Sequence, residues 1–167
     1  MPERDTIARA RRDAAKGKSP QTQAGAFVRE EIEHVRQKKH GARSTKQAIA
    51  IGLSKARRAG VKLKAPSAAK ASKSTRHKAE KDLERGSKRE AARSPKRARA
   101  SREALEKEPK GTTSGRRLAK HARSAARSRS KASRSASAKK AARTKGAASR
   151  SASAKKAAQT RKRNAKP

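Results

Sequence analysis

Large apolar side chains are scarce in this chain of 167 residues, and most of them lie near its N-terminus. Apart from 37 alanines there are only 14 apolar residues, and 11 of these fall within residues 1–64. Folding costs roughly 1–2 kcal/mol of backbone entropy per residue, and burial of apolar surface has to offset that cost. The sequence therefore predicts one small core within residues 1–64 and excludes a conventional globular domain over the rest.

Charge is distributed as unevenly as the apolar residues. The chain has 51 Lys and Arg against 13 Asp and Glu, a net charge of +38, and residues 110–167 contain 20 bases and no acid. Low hydrophobicity combined with high net charge is typical of disordered segments. We therefore expect a small all-α helical head of two to three short helices, followed by a long, largely disordered basic tail.

The predicted boundaries follow these changes in composition. The head covers residues 1–64, a mixed-charge linker with short solvated helices covers 65–109, and a low-complexity tail of Ala, Ser, Lys and Arg covers 110–167. The tail repeats the sequence ASRSASAKKAA at 132–142 and 148–158. Because alanine is its only apolar residue, the repeat cannot bury a continuous core and indicates a duplicated spacing of charges. We expect the tail to be coil when free and helical when bound to phosphates.

Capping signals predict three helices in the head. The first covers residues 3–16, the second starts after Ser19, and the third starts after Ser44 and ends before Gly60. Gly52 lies inside the third helix, where it either allows a close approach to the second helix or is simply tolerated. With about ten apolar anchors, the core is small enough that a homo-oligomer formed through the head is also expected.

The sequence contains no recognisable catalytic or metal-binding motif. There is no Cys, the four His lack zinc-like spacing, and neither a nucleophile motif nor a Gly-rich phosphate loop is present. We therefore predict a protein that is not an enzyme and that has no metal site, cofactor or small-molecule substrate. The lack of a long apolar run or a secretory signal favours a cytoplasmic location.

The abundant bases indicate a polyanionic partner instead. A flexible polycation neutralises phosphates and releases condensed counterions, so it binds nucleic acid without reading its sequence. Double-stranded DNA is the expected partner and RNA the alternative, because aromatic residues that could stack on bases are missing apart from Phe27. The segment Ser94-Pro95-Lys96-Arg97 has the pattern of linker-histone tails, in which the two bases can reach into a narrow minor groove.

The bases predicted to contact phosphates fall into three groups. One group surrounds the third helix, whose start at Ser44 is a candidate phosphate anchor. The second lies in the Ser-Pro segment, and the third is spread along the tail. Together they are Lys38, Lys39, Arg43, Lys46, Lys55, Arg57, Arg58, Lys62, Lys96, Arg97, Arg116, Arg117, Lys139, Lys140, Lys155, Lys156, Arg161, Lys162 and Arg163.

The block KHGARSTKQAIAIGLSKARRAG, from Lys39 to Gly60, carries a resemblance to a known family. Together with its flanks it makes residues 1–64 similar to a family of small basic bacterial proteins described as a domain of unknown function. That resemblance implies a bacterial source and no particular activity, so no functional residue follows from it. The tail is similar in composition to the tails of bacterial and eukaryotic linker histones.

These observations favour nonspecific nucleic-acid binding, and above all a nucleoid-associated, histone-like protein that condenses DNA. Two alternatives stay open. One is an RNA- or ribosome-associated basic protein, and the other is a polycation that binds anionic membrane surfaces. The tail has no large apolar face to insert into a membrane, which weakens the last alternative.

Overall fold

Most of the described chain is helical. The structure, a computed structural model, describes residues 2–88, 94–144 and 146–164. Within these ranges the helices are α1 (Arg4–Ala15), α2 (Pro20–Arg36), α3 (Thr45–Arg58), α4 (Lys73–Ser87), α5 (Pro95–Glu106), α6 (Gly115–Arg127), α7 (Lys131–Thr144) and α8 (Ala147–Asn164). Among the described helices, none is long and apolar enough to cross a membrane.

Helices α1 and α3 begin and end within two residues of their predicted positions, and α2 begins directly after Ser19 as predicted. Helix α2 ends at Arg36, so the bases expected in its last turn, Lys38 and Lys39, lie in the turn that follows it. Ser19 and Ser44 precede α2 and α3, and each side chain accepts a hydrogen bond from the backbone N–H three residues later. After each helix one residue adopts a positive φ: Gly17 (66°), Lys38 (59°) and Gly60 (92°). Backbone N–H groups at these turns donate back to helix carbonyls, which would otherwise lack a partner.

The core lies where α2 packs against both α1 and α3, while α4 packs against α3. Helices α2 and α3 come close at Gly52, where an added Cβ would lie 2.7 Å from the Cα of Val28. The structure therefore favours close approach over simple tolerance of this glycine. The bulkier Ile49 and Ile51 are only half-buried. The main cluster consists mostly of small residues: Ala10, Ala24, Phe27, Ala56, Val61 and Leu63.

Residues 105–113 pack against the loop between α2 and α3. The N–H of Gly41 donates to the carbonyl of Leu105 at 2.8 Å, and the hydroxyl of Thr112 donates to the carbonyl of Ala42 at 2.9 Å. In return, the carbonyl of Thr112 accepts from the hydroxyl of Thr45 at 2.6 Å. Thr112 and Thr113 are 2% and 1% exposed. The packed part of the molecule therefore extends beyond the predicted head.

The predicted disorder of residues 110–167 is wrong, because α6, α7 and α8 cover most of that segment. Helices α7 and α8 bury no side chain, so tertiary packing does not explain them. Each contains one copy of the alanine-rich repeat, and alanine has the highest helix propensity of all residues. The side chain of Ser130 also accepts a hydrogen bond from the N–H of Ser133 at the start of α7. The prediction gave too much weight to low hydrophobicity and high net charge and too little to local helix propensity.

The linker region 65–109 contains two helices with different surroundings. Ala79 of α4 is buried, and Asp82 of the same helix contacts Ser54 and Arg58 of α3. Helix α5 buries no residue, as expected for the solvated helices predicted in this region. The chain divides into two compact units, residues 1–121 and 122–167. The first unit contains α1 to α5 and the residues of α6 up to His121, and the second contains the rest of α6 with α7 and α8.

Candidate nucleic-acid interface

Helix α6 concentrates its bases on one side. Arg116, Lys120, Arg123 and Arg127 are separated by four, three and four residues, and at 3.6 residues per turn they lie within about 60° of one another. All four are exposed, and they span about 16 Å of helix axis at 1.5 Å per residue. We name this group the α6 basic face. The opposite side of α6 presents Leu118 and alanine side chains, so the helix is clearly amphipathic.

A duplex offers more phosphates along the α6 basic face than the four bases of this face can neutralise. Double-stranded DNA carries one negative charge per roughly 1.7 Å of axis, or about ten charges over the length of this face. Residues 110–167 contain no acid that could pair with these bases. An exposed row of cations of this kind can contact several phosphates at once, and it reads no base edge.

Helices α7 and α8 present bases in all directions. Lys131, Arg134, Lys139, Lys140 and Arg143 are exposed on α7, and their spacing distributes them around the whole helix. The same holds for α8, in which Arg150, Lys155 and Lys156 repeat three of these bases 16 residues later and further bases follow. Its predicted site residues Lys155, Lys156, Arg161, Lys162 and Arg163 are all exposed. Either helix can therefore touch polyanions on two opposite sides.

Five predicted site residues of the head lie on its surface. Lys38 and Lys39 are exposed in the turn after α2, and Lys62 is exposed after α3. Lys46 is exposed in the first turn of α3, just after Arg43, whose side chain is 81% exposed. Their charges remain accessible to a polyanion.

Three predicted site residues of α3 point into the protein instead. Arg57 is buried, and its guanidinium donates to the carbonyl of Leu63 at 3.0 Å. Burial lowers the pKa of the Arg57 guanidinium below its usual range, and the carboxylate of Asp82 acts in the opposite direction. The ammonium of Lys55 lies 2.6 Å from Oε2 of Glu31, and Arg58 contacts Asp82. These three bases therefore pair with carbonyl and carboxylate oxygens of the protein itself.

The start of α3 is partly covered. The hydroxyl of Thr45 is engaged by the carbonyl of Thr112, and the guanidinium of Arg43 lies 3.4 Å from the carboxylate of Glu108. The N–H of Gln47 already donates to the side chain of Ser44. A phosphate at this helix start would have to compete with these partners, which weakens the anchor suggested by the sequence.

The Ser-Pro segment begins a helix. Pro95 occupies the first turn of α5, and Ser94 precedes it without a side-chain capping hydrogen bond. Lys96 and Arg97 are exposed in the same turn. These two cations lie at the start of a solvated helix and can reach phosphates. The Ser-Pro segment is therefore the beginning of α5.

Arg116 and Arg117 of α6 are among the bases predicted from the sequence, whereas Lys120, Arg123 and Arg127 are not. Their signal is the spacing of bases by three and four residues, which marks one face of a helix. In a segment expected to be coil, this spacing defines no face. Because the segment is helical in the structure, the same spacing places these bases on the α6 basic face.

Comparison with known proteins gives a match to one family over part of the chain, and that match indicates no activity. Residues 36–66, which comprise the end of α2, the following loop, α3 and its C-terminal turn, match a family of unknown function, DUF6496. This match is in keeping with the resemblance to an uncharacterised family. No curated protein and no solved structure matches the chain.

Proposed function

We propose that this protein binds double-stranded DNA without sequence preference and condenses it as a nucleoid-associated protein. The observation that supports the proposal best is the set of exposed bases on α6, α7 and α8, in a segment of 58 residues without one acid. Binding by such helices derives its free energy from the release of counterions that condense on the phosphates. The α6 basic face docks on one duplex.

Condensation requires contacts with more than one duplex. A helix whose bases lie on one side, such as α6, can contact a single polyanion. The bases of α7 and α8 point in all directions, so each of these helices can contact a second duplex while a first one is bound. The proposal therefore assigns docking to α6 and bridging to α7 and α8.

Salt dependence tests the proposal on the full-length chain. The logarithm of affinity falls with the logarithm of salt concentration by about 0.9 per phosphate contacted on duplex DNA, so we expect a slope of magnitude about 6 or more. The slope is measured by fluorescence anisotropy of a short duplex at several chloride concentrations. A slope of magnitude near 2 would contradict binding through these helices.

A matched pair of variants tests the role of the α6 basic face. The first replaces Arg116, Lys120, Arg123 and Arg127 by Gln, and the second replaces Arg134, Lys139, Lys140 and Arg143 of α7 by Gln. Both lose four charges, but the second set surrounds its helix. We expect the slope to fall by about 3 to 4 in the first variant and by about half as much in the second. Equal losses would mean that net charge alone determines binding.

Competition between nucleic acids distinguishes the expected partner from its alternative. Unlabelled duplex DNA and structured RNA of equal phosphate number are compared at one salt concentration as competitors of the labelled duplex. We expect the DNA to compete at least as well as the RNA. Much stronger competition by RNA would replace the proposal with an RNA- or ribosome-associated role.

A further inference from the structure

Two histidines and three glutamates meet near the start of α1. Glu3 precedes α1, Glu30, Glu31 and His34 belong to α2, and His40 lies in the loop before α3. Nε2 of His34 is 3.0 Å from Oε1 of Glu3, and Nε2 of His40 is 3.3 Å from Oε1 of Glu31. One ring nitrogen of each histidine and one carboxylate oxygen of Glu31 all lie within 4.8 Å of one another. The pattern of histidines in the sequence does not reveal this cluster.

The hydrogen bonding of His40 determines which ring nitrogen can bind a cation. Nδ1 lies 3.0 Å from the carbonyl oxygen of Gly41, which can only accept, so Nδ1 carries the hydrogen. In the neutral ring, Nε2 then presents a lone pair towards Oε1 of Glu31, which is itself an acceptor. A proton or a metal ion held between these two atoms, which lie 3.3 Å apart, would satisfy both. A backbone carbonyl that fixes the ring in this way is the usual partner of a metal-binding histidine.

Glu31 supplies an independent observation. Its side chain is 0% exposed, and Oε2 has the ammonium of Lys55 at 2.6 Å as an ion-pair partner. Oε1 is buried too and faces Nε2 of His40 at 3.3 Å. A buried carboxylate oxygen is costly unless a donor or a cation lies beside it. The side of Glu31 that faces His40 is therefore the side on which an ion would be bound.

We propose that Glu31, His34 and His40 bind a divalent transition metal of the zinc class. Imidazole nitrogen and carboxylate oxygen are ligands that Zn²⁺ takes at about 2.0–2.2 Å, so two ligands of a tetrahedral ion lie about 3.4 Å apart. The distance of 3.3 Å between Nε2 of His40 and Oε1 of Glu31 is close to that separation. The ion would join α2 to the loop before α3.

The charge of the surroundings is compatible with such an ion. Three carboxylates, those of Glu3, Glu30 and Glu31, face two ammonium groups, Lys55 beside Glu30 and Glu31 and Lys39 at 3.7 Å from Glu3. The carboxylates outnumber the ammonium groups here, although the whole chain is strongly positive. A groove of about 660 Å³ between α1 and α2 is lined by Glu3, Glu30 and His34, so it reaches one of the three proposed ligands.

The experiment titrates the full-length protein with Zn²⁺ against a fluorescent chelator, in chloride buffer and without nucleic acid. We expect one ion per chain. The His34→Gln and His40→Gln double variant should bind Zn²⁺ more weakly by at least about a hundredfold. The matched control replaces His77 of α4 and His121 of α6 by Gln and should bind like the wild type. Co²⁺ bound to the wild type should give the visible absorption of a tetrahedral site.

Three results would overturn the proposal: no saturable binding by the wild type, unchanged binding by the double variant, or an equal loss in the control. Because the double variant removes two packed rings, its helix content is compared with that of the wild type by circular dichroism. If it is unfolded, Glu31→Gln serves in its place, since it keeps the volume and removes the ligand charge. A folded Glu31→Gln variant that binds Zn²⁺ as tightly as the wild type would equally exclude the site. None of these measurements depends on DNA binding.

Discussion

Lys38 is the one non-glycine residue with a positive φ, 59°, in the part of the chain that the structure describes. It follows α2 at the position where helices usually carry glycine, because a Cβ there crowds the backbone. Its N–H donates to the carbonyl of Val35 at 3.2 Å, and the next N–H donates to the carbonyl of His34 at 3.0 Å. The turn that leads to His40 and α3 is therefore held in a strained backbone conformation.

This conformation predicts a difference between two substitutions of one residue. Lys38→Gly and Lys38→Ala remove the same charge, but only alanine keeps a Cβ. We expect the glycine variant to be the more stable by about 0.5–1 kcal/mol, since the left-handed conformation costs about 1–2 kcal/mol and the flexibility of unfolded glycine cancels part of the gain. Urea denaturation followed by circular dichroism measures the difference. Equal stability would mean that the turn relaxes in solution.

At the scale of elements, the sequence predicted those features that depend on neighbouring residues. The caps at Ser19 and Ser44 predict where α2 and α3 start, and the turn at Gly60 predicts where α3 ends, almost as the structure has them. The packing of residues 105–113 could not be predicted, because Thr112 and Thr113 are polar and their partners lie about 70–80 residues away. The helices of the tail were missed for a different reason, namely that charge outweighed alanine propensity in the prediction.

The contact between α2 and α3 predicts opposite effects for two helical glycines. A Cβ at Gly52 would lie 2.7 Å from the Cα of Val28, whereas a Cβ at Gly25 of α2 would meet no atom within 4 Å. Gly25→Ala should stabilise the protein by about 1 kcal/mol through helix propensity. Gly52→Ala should destabilise it by about 1–3 kcal/mol, because backbone atoms cannot move aside as a side chain can. Thermal denaturation of both variants measures the effects, and stabilisation by both would show that α2 and α3 are further apart.

The attachment of residues 105–113 predicts the effect of removing one hydroxyl group. Thr112→Val keeps the shape of the side chain but leaves the carbonyl of Ala42 without its donor. We expect a loss of about 1–3 kcal/mol, the cost of an unpaired buried polar group. Thr144→Val on the exposed surface of α7 is the matched control, with an expected change within about 0.5 kcal/mol. Equal effects in chemical denaturation would show that this segment does not pack on the loop.

At the scale of the whole molecule, stability and charge reside in different parts of the chain. The buried clusters, the ion pairs of Glu30 and Glu31 and the attachment of residues 105–113 all lie within residues 1–121. The most basic segment begins at residue 110, so the two properties overlap only between residues 110 and 121. A deletion that is meant to remove charge and preserve the fold must therefore start after α6.

Deletion of residues 128–167 meets that requirement. It removes 14 bases and no acid, which lowers the net charge from +38 to +24, and it leaves α6, Thr112 and Thr113 in place. We expect the melting temperature to change little, whereas deletion from residue 110 should lower it, because the buried threonines are lost.

The shorter deletion should still bind a single duplex through the α6 basic face, with a smaller salt slope. It should no longer condense long DNA at physiological salt, as measured by sedimentation or light scattering, because the helices with bases on all sides are gone. Condensation that persists in this variant would show that α7 and α8 do not bridge duplexes and that the bases of residues 1–127 suffice.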